Sequence, residues 1–552
     1  MARYKLLMSN EAEEFVSDGS VDSKGRPSVR AKSGGWRACS IIIGYELVEK
    51  LALYGVLANL MVYLTTKMHE GTGMGILTLT VSLKSLKPLE CPSNEGCEKA
   101  SFMQLGIFYF ALYLLALGTG GTRPNLPTFG ADQFDDFHPE EKMHKNSFFN
   151  WWFFVVFFGG LLGQTFIVYV QDNISWGVSY GSITGFLLIA YVVFMTGSPF
   201  YRYKAVTGSP LQRVGKVIVR MIQNWKIHVP TDASCLHEVD SKAYLSQGRY
   251  PITSTKNLRF LDKAAFLNSR HSNPCSVTDV EETKQVIRVL PIWLTVIFPS
   301  TIVAQSFTLF IKQAMTMDRH MGSNFEIPSG SIGVFYQIPM LLIIPIYVRL
   351  LIPLFRRFTG NPRGITILQR IGVGIILQGF AMVAAVLTEI VRLDVIQRHG
   401  IADDKDAVVP ISFLILLPQL AIMGIAEAMV EVGKLEFFYD QAPESMRSLG
   451  SAMYAASGGI GSFLTGAILT LVTRVTGRHG HKSWVLNNLN ASRLDYFYAL
   501  LVVLNIINYA VFLTMSWSYT YKREPSEALG KDSSKATLLV DNSGQNDEGI
   551  QI

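Results

Sequence analysis

Three ionisable side chains stand within five residues of one another in the middle of a membrane-grade apolar stretch. Trp36 to Thr66 reads as one hydrophobic segment, interrupted by Glu46-Leu-Val-Glu49-Lys50. An ionisable group at mid-bilayer costs roughly 2.5–3.5 kcal/mol even on the most lenient insertion scale, so such a cluster needs a purpose. At 3.6 residues per turn, Glu46, Glu49 and Lys50 share one helix face. Lys50 can neutralise one carboxylate while the other takes up and releases a proton. The chemistry is that of a proton or ion relay lining a cavity. A surface amphipathic helix would carry the same triplet, but the flanks 39–45 and 51–64 are apolar all round, which argues against it.

Other charges lie in or at the ends of apolar runs. Arg123 follows Gly118-Thr-Gly-Gly121-Thr122 and precedes Pro124-Asn125, a permanent cation at the end of a span. The glycines are not a phosphate cradle, because GxGxxG requires glycine at position 123 and no strand precedes them. They read instead as close helix packing by small residues. Glu427 and Glu431 stand four residues apart, with Lys434 one turn on; Glu427 lies deepest, flanked by Gly424, Ala426 and Ala428. Lys434 and Glu436 read as the wet end of that helix. None of the ten histidines falls in a clear span, so an intramembrane relay must run on carboxylates. The sequence carries no metal-ligand cluster, nucleophile elbow or kinase-type loop. An enzyme reading therefore has no nucleophile–base pair to rest on, and no cofactor is implied beyond a proton gradient.

The elements that position these charges follow from composition. The chain has 552 residues, 49% hydrophobic and 17% charged, where a soluble domain carries about 25%. Apolar runs long enough to cross about 30 Å of hydrocarbon recur at 36–66, 102–126, 148–170, 177–197, 285–311, 329–353, 369–391, 410–434, 449–472 and 494–518. The fold class is an all-α polytopic membrane protein. The net charge of +6 reflects topology rather than nucleic-acid binding, since basic residues gather in particular loops. Arg349, Arg356, Arg357, Arg363 and Arg370 form one group, Lys204, Arg213, Lys216, Arg220 and Lys226 a second, and Lys522 and Arg523 a third. All fall on one side if both termini are cytoplasmic. Residues 1–15 lack the apolar core of a signal peptide. Cys91 and Cys97 share a short loop on the opposite side, as a local bridge or as two free thiols. Asn173-Ile-Ser175 and Asn490-Ala-Ser492 are glycosylation-type triplets close to membrane ends on that same side.

A polar stretch, 204–283, with helical capacity around 209–226, separates the spans into an incomplete amino-terminal bundle (36–203) and a six-helix bundle (284–522). It reads as a cytoplasmic linker. The tails 1–35 and 523–552 have no periodicity and are expected to be disordered. Two similar halves with a substrate site between them are the usual transporter plan. Four spans plus an apolar fragment at 74–86 against six do not match it.

Taken together, these residues resemble the plant nitrate/peptide transporter family, proton-coupled oligopeptide transporters of the major facilitator superfamily. Glu46-Leu-Val-Glu49-Lys50 resembles that family's first-helix motif, and Gly118 to Asn125 and Gly130 to Asp136 its fourth-helix region. Ser147 to Trp152, Phe358 to Ile365 and Leu435 to Met446 complete the set. The resemblance covers roughly 30–522 and is nearest to wound- and stress-associated di/tripeptide transporters. It implies two helical bundles and symport of protons with a small solute, a di- or tripeptide first and nitrate or another anion second. It implies a plasma or vacuolar membrane location. Glu46 and Glu49 would be the proton-coupling carboxylates with Lys50 as partner. Arg123, where the family usually has lysine, would pair across the cavity with Glu427. Tyr54 and Gln305 would touch substrate.

This sequence also departs from the family pattern. Leu53 replaces a tyrosine and Phe157 an asparagine of peptide-binding relatives. Val303 stands where the dual-affinity nitrate carrier has a nitrate-binding histidine, and Val348 replaces a frequent aspartate. The second helix and the start of the third are expected to be missing, because Gly73 runs straight into Met74. A helix over 74–86 would reach about 20 Å, too short to cross. Ten full spans and one short helix are therefore expected. The competing function is a non-transporting form, inert or regulatory, since losing a cavity-lining helix leaves buried polar groups facing lipid. A channel is disfavoured, as alternating access needs no continuous pore.

Overall fold

The computed structural model describes residues 15–16, 18–63, 102–204, 208–228, 236–239, 251–266, 275–322, 326–361, 363–404, 407–478, 483–486 and 488–522. The fragment 74–86, Cys91, Cys97 and the carboxy-terminal tail lie outside them. The long helices, in chain order, are α1 (Gly35–Tyr63), α2 (Phe102–Ala131), α3 (Pro139–Leu162), α4 (Trp176–Thr196), α5 (Pro210–Gln223), α6 (Val277–Val303), α7 (Val334–Ile346), α8 (Ile367–His399), α9 (Leu417–Gln441), α10 (Arg447–Thr476) and α11 (Leu494–Ser518). Among the described residues, eight helical stretches, from Pro139–Gln171 to Leu494–Ser518, are long and apolar enough to cross a membrane. The first two helices, 29 and 30 residues long, are each about 44 Å in length at 1.5 Å per residue. All ten coincide with the runs expected from hydropathy.

Helices α1 to α4 pack on one another, as do α6 to α11. The two groups meet where α3 lies against α7 and α9, and where α2 lies against α10. Each boundary has a local cause. Thr366 and Gln369 form a reciprocal capping box at the start of α8, and Gly400 closes it in the left-handed region at φ 65°. Ser276 accepts from the Asp279 amide to start α6. Prolines 124 and 127 lie inside α2, and Thr128 Oγ1 donates to the Pro124 carbonyl at 3.0 Å.

The scaffold turns on a close approach of α1 to α3. A Cβ at Gly159 would stand 2.7 Å from the Leu47 carbonyl, and one at Gly163 would stand 2.5 Å from that of Leu51. This four-residue glycine spacing lets the α1 backbone lie directly on α3. Just beyond it α3 passes through a π-helical turn, Gly163–Ile167. The same turns of α1 hold Glu46, Glu49, Lys50 and Tyr54, so the glycines set where the charges stand.

Two expectations are corrected. Residues 15–34, expected to be disordered, carry backbone pairings (Phe15 with Val29, Val21 with Pro27 and Tyr203) and buried Val16, Ser20 and Ser28. Arg202 fixes this segment by donating to the Ser33 carbonyl at 2.8 Å while pairing with Glu141 at 2.7 Å. Lys434 and Glu436 are not a wet helix end: both are buried. Helix α6 begins at Val277, and Lys284 in its second turn pairs with Asp262 and Glu281 at 2.7 Å each. Asn490 is no free glycan acceptor. Its amide donates to the Ala407 carbonyl at 3.0 Å and accepts from Arg392 at 3.1 Å.

The α1–α3 contact makes a direct prediction. Gly163→Val should destabilise the purified protein by about 1–3 kcal/mol through overpacking, seen as a lower thermal midpoint. Gly181→Ala on α4, with no described atom within 4 Å of its added Cβ, should leave the midpoint unchanged.

Candidate functional site

The charges found in the sequence meet around one cavity. Its wall is formed by Glu46, Lys50, Leu53 and Tyr54 of α1, Arg123 and Pro127 of α2, Trp152, Phe153, Val156 and Phe157 of α3, Glu427, Glu431 and Leu435 of α9, and Tyr454 of α10. Both helix groups contribute carboxylates. The cavity volume is about 60 Å³, room for about four water molecules.

On the α1 side, Lys50 Nζ reaches Glu46 Oε1 at 3.1 Å and Glu49 Oε2 at 2.6 Å. The lysine serves both carboxylates, where one pairing and one free acid was expected. One cation between two carboxylates leaves a net negative charge that a proton can cancel. On the α9 side, Lys434 pairs with Glu431 at 2.5 Å and donates to Ser300 Oγ at 2.9 Å. The Tyr454 ring lies 5.7 Å from its ammonium. Glu427 Oε2 is buried with no hydrogen-bond partner among the described residues. Arg123 and Glu427 face the same cavity but form no ion pair in this conformation. Gln305 does not reach it: the side chain is buried and its amide donates back to the Thr301 carbonyl at 3.4 Å. Leu53 and Phe157, two of the departures noted above, do line the wall.

Two sets of contacts between the helix groups bound the cavity. Toward the π-turn of α3, Gln337 donates to the Phe157 carbonyl at 3.2 Å and Ser331 to that of Gln164 at 3.1 Å. At the linker end, Arg447 pairs with Asp136 at 2.5 Å, and Tyr439 Oη donates to Asp132 at 2.7 Å. Lys145 holds the other Asp136 oxygen at 2.6 Å, and Arg363 bridges Asn146 and Asp440 at 3.0 and 2.7 Å. This second cluster was missed from sequence. Asp132 and Asp136 were visible within Gly130 to Asp136, but nothing local marks Arg447, 311 residues away, as their partner.

The two loop aspartates are not proton sensors. Burial pushes the Asp136 carboxyl up, but Arg447 and Lys145 beside it hold it well below the usual carboxylate range. Asp132 is likewise raised by burial and lowered further by Lys204 and Arg447. A depressed carboxylate stabilises a contact above its unfolded pKa, about 4, and loses it as pH falls through the folded value. The linker-end contact therefore stays charged through mildly acidic pH.

A model described as the POT family matches residues 70–485. The chain belongs to the POT family. It is a transporter, not an enzyme. The Arabidopsis thaliana protein NRT1/PTR FAMILY 5.2 is 42% identical over 572 residues, with 95% of this chain and 98% of the relative covered. NRT1/PTR FAMILY 5.3 of the same plant is 40% identical over 585 residues, at 97% and 100% coverage. Both alignments are longer than this chain of 552 residues, so these relatives carry residues that it lacks. The crystal structure of the POT family transporter PepTSo superposes with a TM-score of 0.56 at 18% identity, over 88% of this chain and 99% of that one, which establishes the shared fold.

The linker-end contact predicts its own pH response. Spin labels at the exposed positions Met143 and Phe358 should keep their spacing in the unmodified protein down to about pH 4. Asp136→Asn should lengthen or broaden that distance already at neutral pH.

Proposed function

We propose that this POT family member is a proton-coupled symporter of small organic solutes, di- and tripeptides first, working by alternating access between bundles 36–203 and 284–522. In this reading the stretch 204–283 and both termini are cytoplasmic, and the membrane is the plasma or vacuolar one. One observation carries it: Glu46, Lys50 and Arg123 share a single cavity with Glu427 and Glu431 from the other helix group. Glu46 and Glu49 are the proton-coupling carboxylates and Lys50 their counter-charge. Protonation of either acid loosens its hold on Lys50 and changes what the cavity attracts. Arg123 suits the carboxylate end of a peptide and Glu427 its ammonium end, with Tyr54 between. A cavity of about 60 Å³ admits no peptide, so substrate binding requires it to widen. Val303 is buried in the apolar core, which ranks nitrate second.

A second reading, a non-transporting form that is inert or regulatory, has support of its own. The alignments exceed this chain in length, as expected for an absent second helix and start of a third. On α2, a Cβ added at Gly118, Gly120 or Gly121 would meet no described atom within 4 Å. Bare helix backbone facing lipid is costly.

Voltage-clamp recording separates the two. Dialanine applied at acidic external pH should give an inward current, and nitrate a smaller one. Silence from this chain, with current restored by inserting the relatives' extra segment between Gly73 and Met74, supports the second reading. Silence from both forms refutes peptide symport.

A further inference from the structure

The linker helix α5 has two apolar faces, and protein covers one of them. Val217 is fully buried against Leu261, Ala264, Ala265, Cys275 and Val280, and Asn224 Nδ2 donates to the Lys263 carbonyl at 2.7 Å. Arg213 ties the helix to the membrane-spanning elements, pairing with Glu282 of α6 at 3.3 Å and donating to the Ser445 carbonyl between α9 and α10 at 3.2 Å. The other apolar face is Leu211, Val219, Ile222 and the following Trp225, each more than half exposed. At 100° per residue these four fall within one third of the helix circumference.

We infer that this outer face of α5 docks on the bilayer surface at the linker side and selects anionic phospholipid headgroups. Three observations commit it to that occupant. First, α5 is held at the membrane boundary: it starts 14 residues after α4 ends at Thr196, and its inner face rests on Val280, in the first turn of α6. Second, the charge is one-sided. Between Pro210 and His228 stand Arg213, Lys216, Arg220 and Lys226, with no Asp or Glu. Lys216 and Arg220 follow on the polar flank of the outer face. Third, the residue types are those of an interfacial helix, with Leu and Ile on one side, Lys and Arg on the next, and an aromatic ring at the edge. Lys263 completes that edge, its ammonium 5.3 Å from the Trp225 ring centre. Each basic residue held near an anionic surface contributes about 1 kcal/mol, a factor of about five. The inference does not rest on transport activity, so it stands or falls separately from peptide symport.

Hydrogen exchange of the full-length protein tests it, in nanodiscs of phosphatidylcholine alone, in nanodiscs containing phosphatidylserine, and in detergent. Amides of 210–228 should exchange about tenfold slower with phosphatidylserine than with phosphatidylcholine. Lys216→Glu with Arg220→Glu should remove most of that difference. Ile222→Ser, on the outer face, should speed exchange in both lipids. Unchanged exchange over 277–284 certifies that the linker core is intact; should the double charge variant loosen it, the Ile222→Ser comparison decides. Equal rates in all three environments would overturn the inference. Equal protection in both lipids would overturn the choice of anionic headgroups. Protection in detergent that grows with protein concentration would assign the face to a second copy of this chain instead.

Discussion

Charge enclosed by apolar protein must be neutralised where it stands, and this requirement organises the molecule. Removing one partner of a buried ion pair typically costs about 3–5 kcal/mol, because the other charge is left without water or counter-ion. Lys50 therefore sits between Glu46 and Glu49, and Lys434 between Glu431 and Ser300. Neither cluster is a fixed strut. One lysine is shared by two carboxylates, and Glu427 keeps one oxygen unpartnered among the described residues. A site built this way is neutral enough to survive in the membrane and unsettled enough to respond.

The surrounding scaffold makes that balance possible. Gly159 and Gly163 bring α1 onto α3 at backbone contact, so the α1 charges point into the cavity rather than at lipid. Gly160 leaves room for the Gln337 side chain of α7, since a Cβ there would stand 2.5 Å from Gln337 Nε2. Helix α3 is thus the element on which both groups rest. The contacts that bound the cavity differ in kind: neutral hydrogen bonds to backbone near Gln337, and charged pairs around Asp136 and Arg447 at the linker end. Over the pH range in which the loop aspartates stay ionised, the charged end holds.

Much of this was legible in the sequence, for physical reasons. Span positions follow from hydropathy over about 20 residues, which tertiary structure does not override. Glu46, Lys50, Arg123 and Glu427 were identifiable because charge in an apolar helix is conspicuous, and Tyr54 only through the family resemblance; the structure gathers all five. What escaped was long-range. Lys434 looked solvated from its place at a helix end, yet Ser300 and Glu431 enclose it. Gln305 carried a polar group on a span, but a turn back to its own helix carbonyl removes it from the cavity. The amino-terminal segment 15–34 has no periodicity of its own; its order is imposed by Arg202 and Tyr203, far along the chain. Pairing across such separations is set by the fold, and no local pattern encodes it.

The central claim is that Glu46 and Glu49 couple a proton to movement of solute through the shared cavity. The most direct measurement compares two modes of dialanine transport in proteoliposomes, using this chain or, should it be silent, the form carrying the relatives' additional segment. One mode is accumulation driven by an inward proton gradient, and the other is exchange of labelled for unlabelled solute without a gradient. With both glutamates changed to glutamine, the account predicts that accumulation is lost while exchange persists. Gradient-driven accumulation that survives in the doubly substituted protein would contradict it.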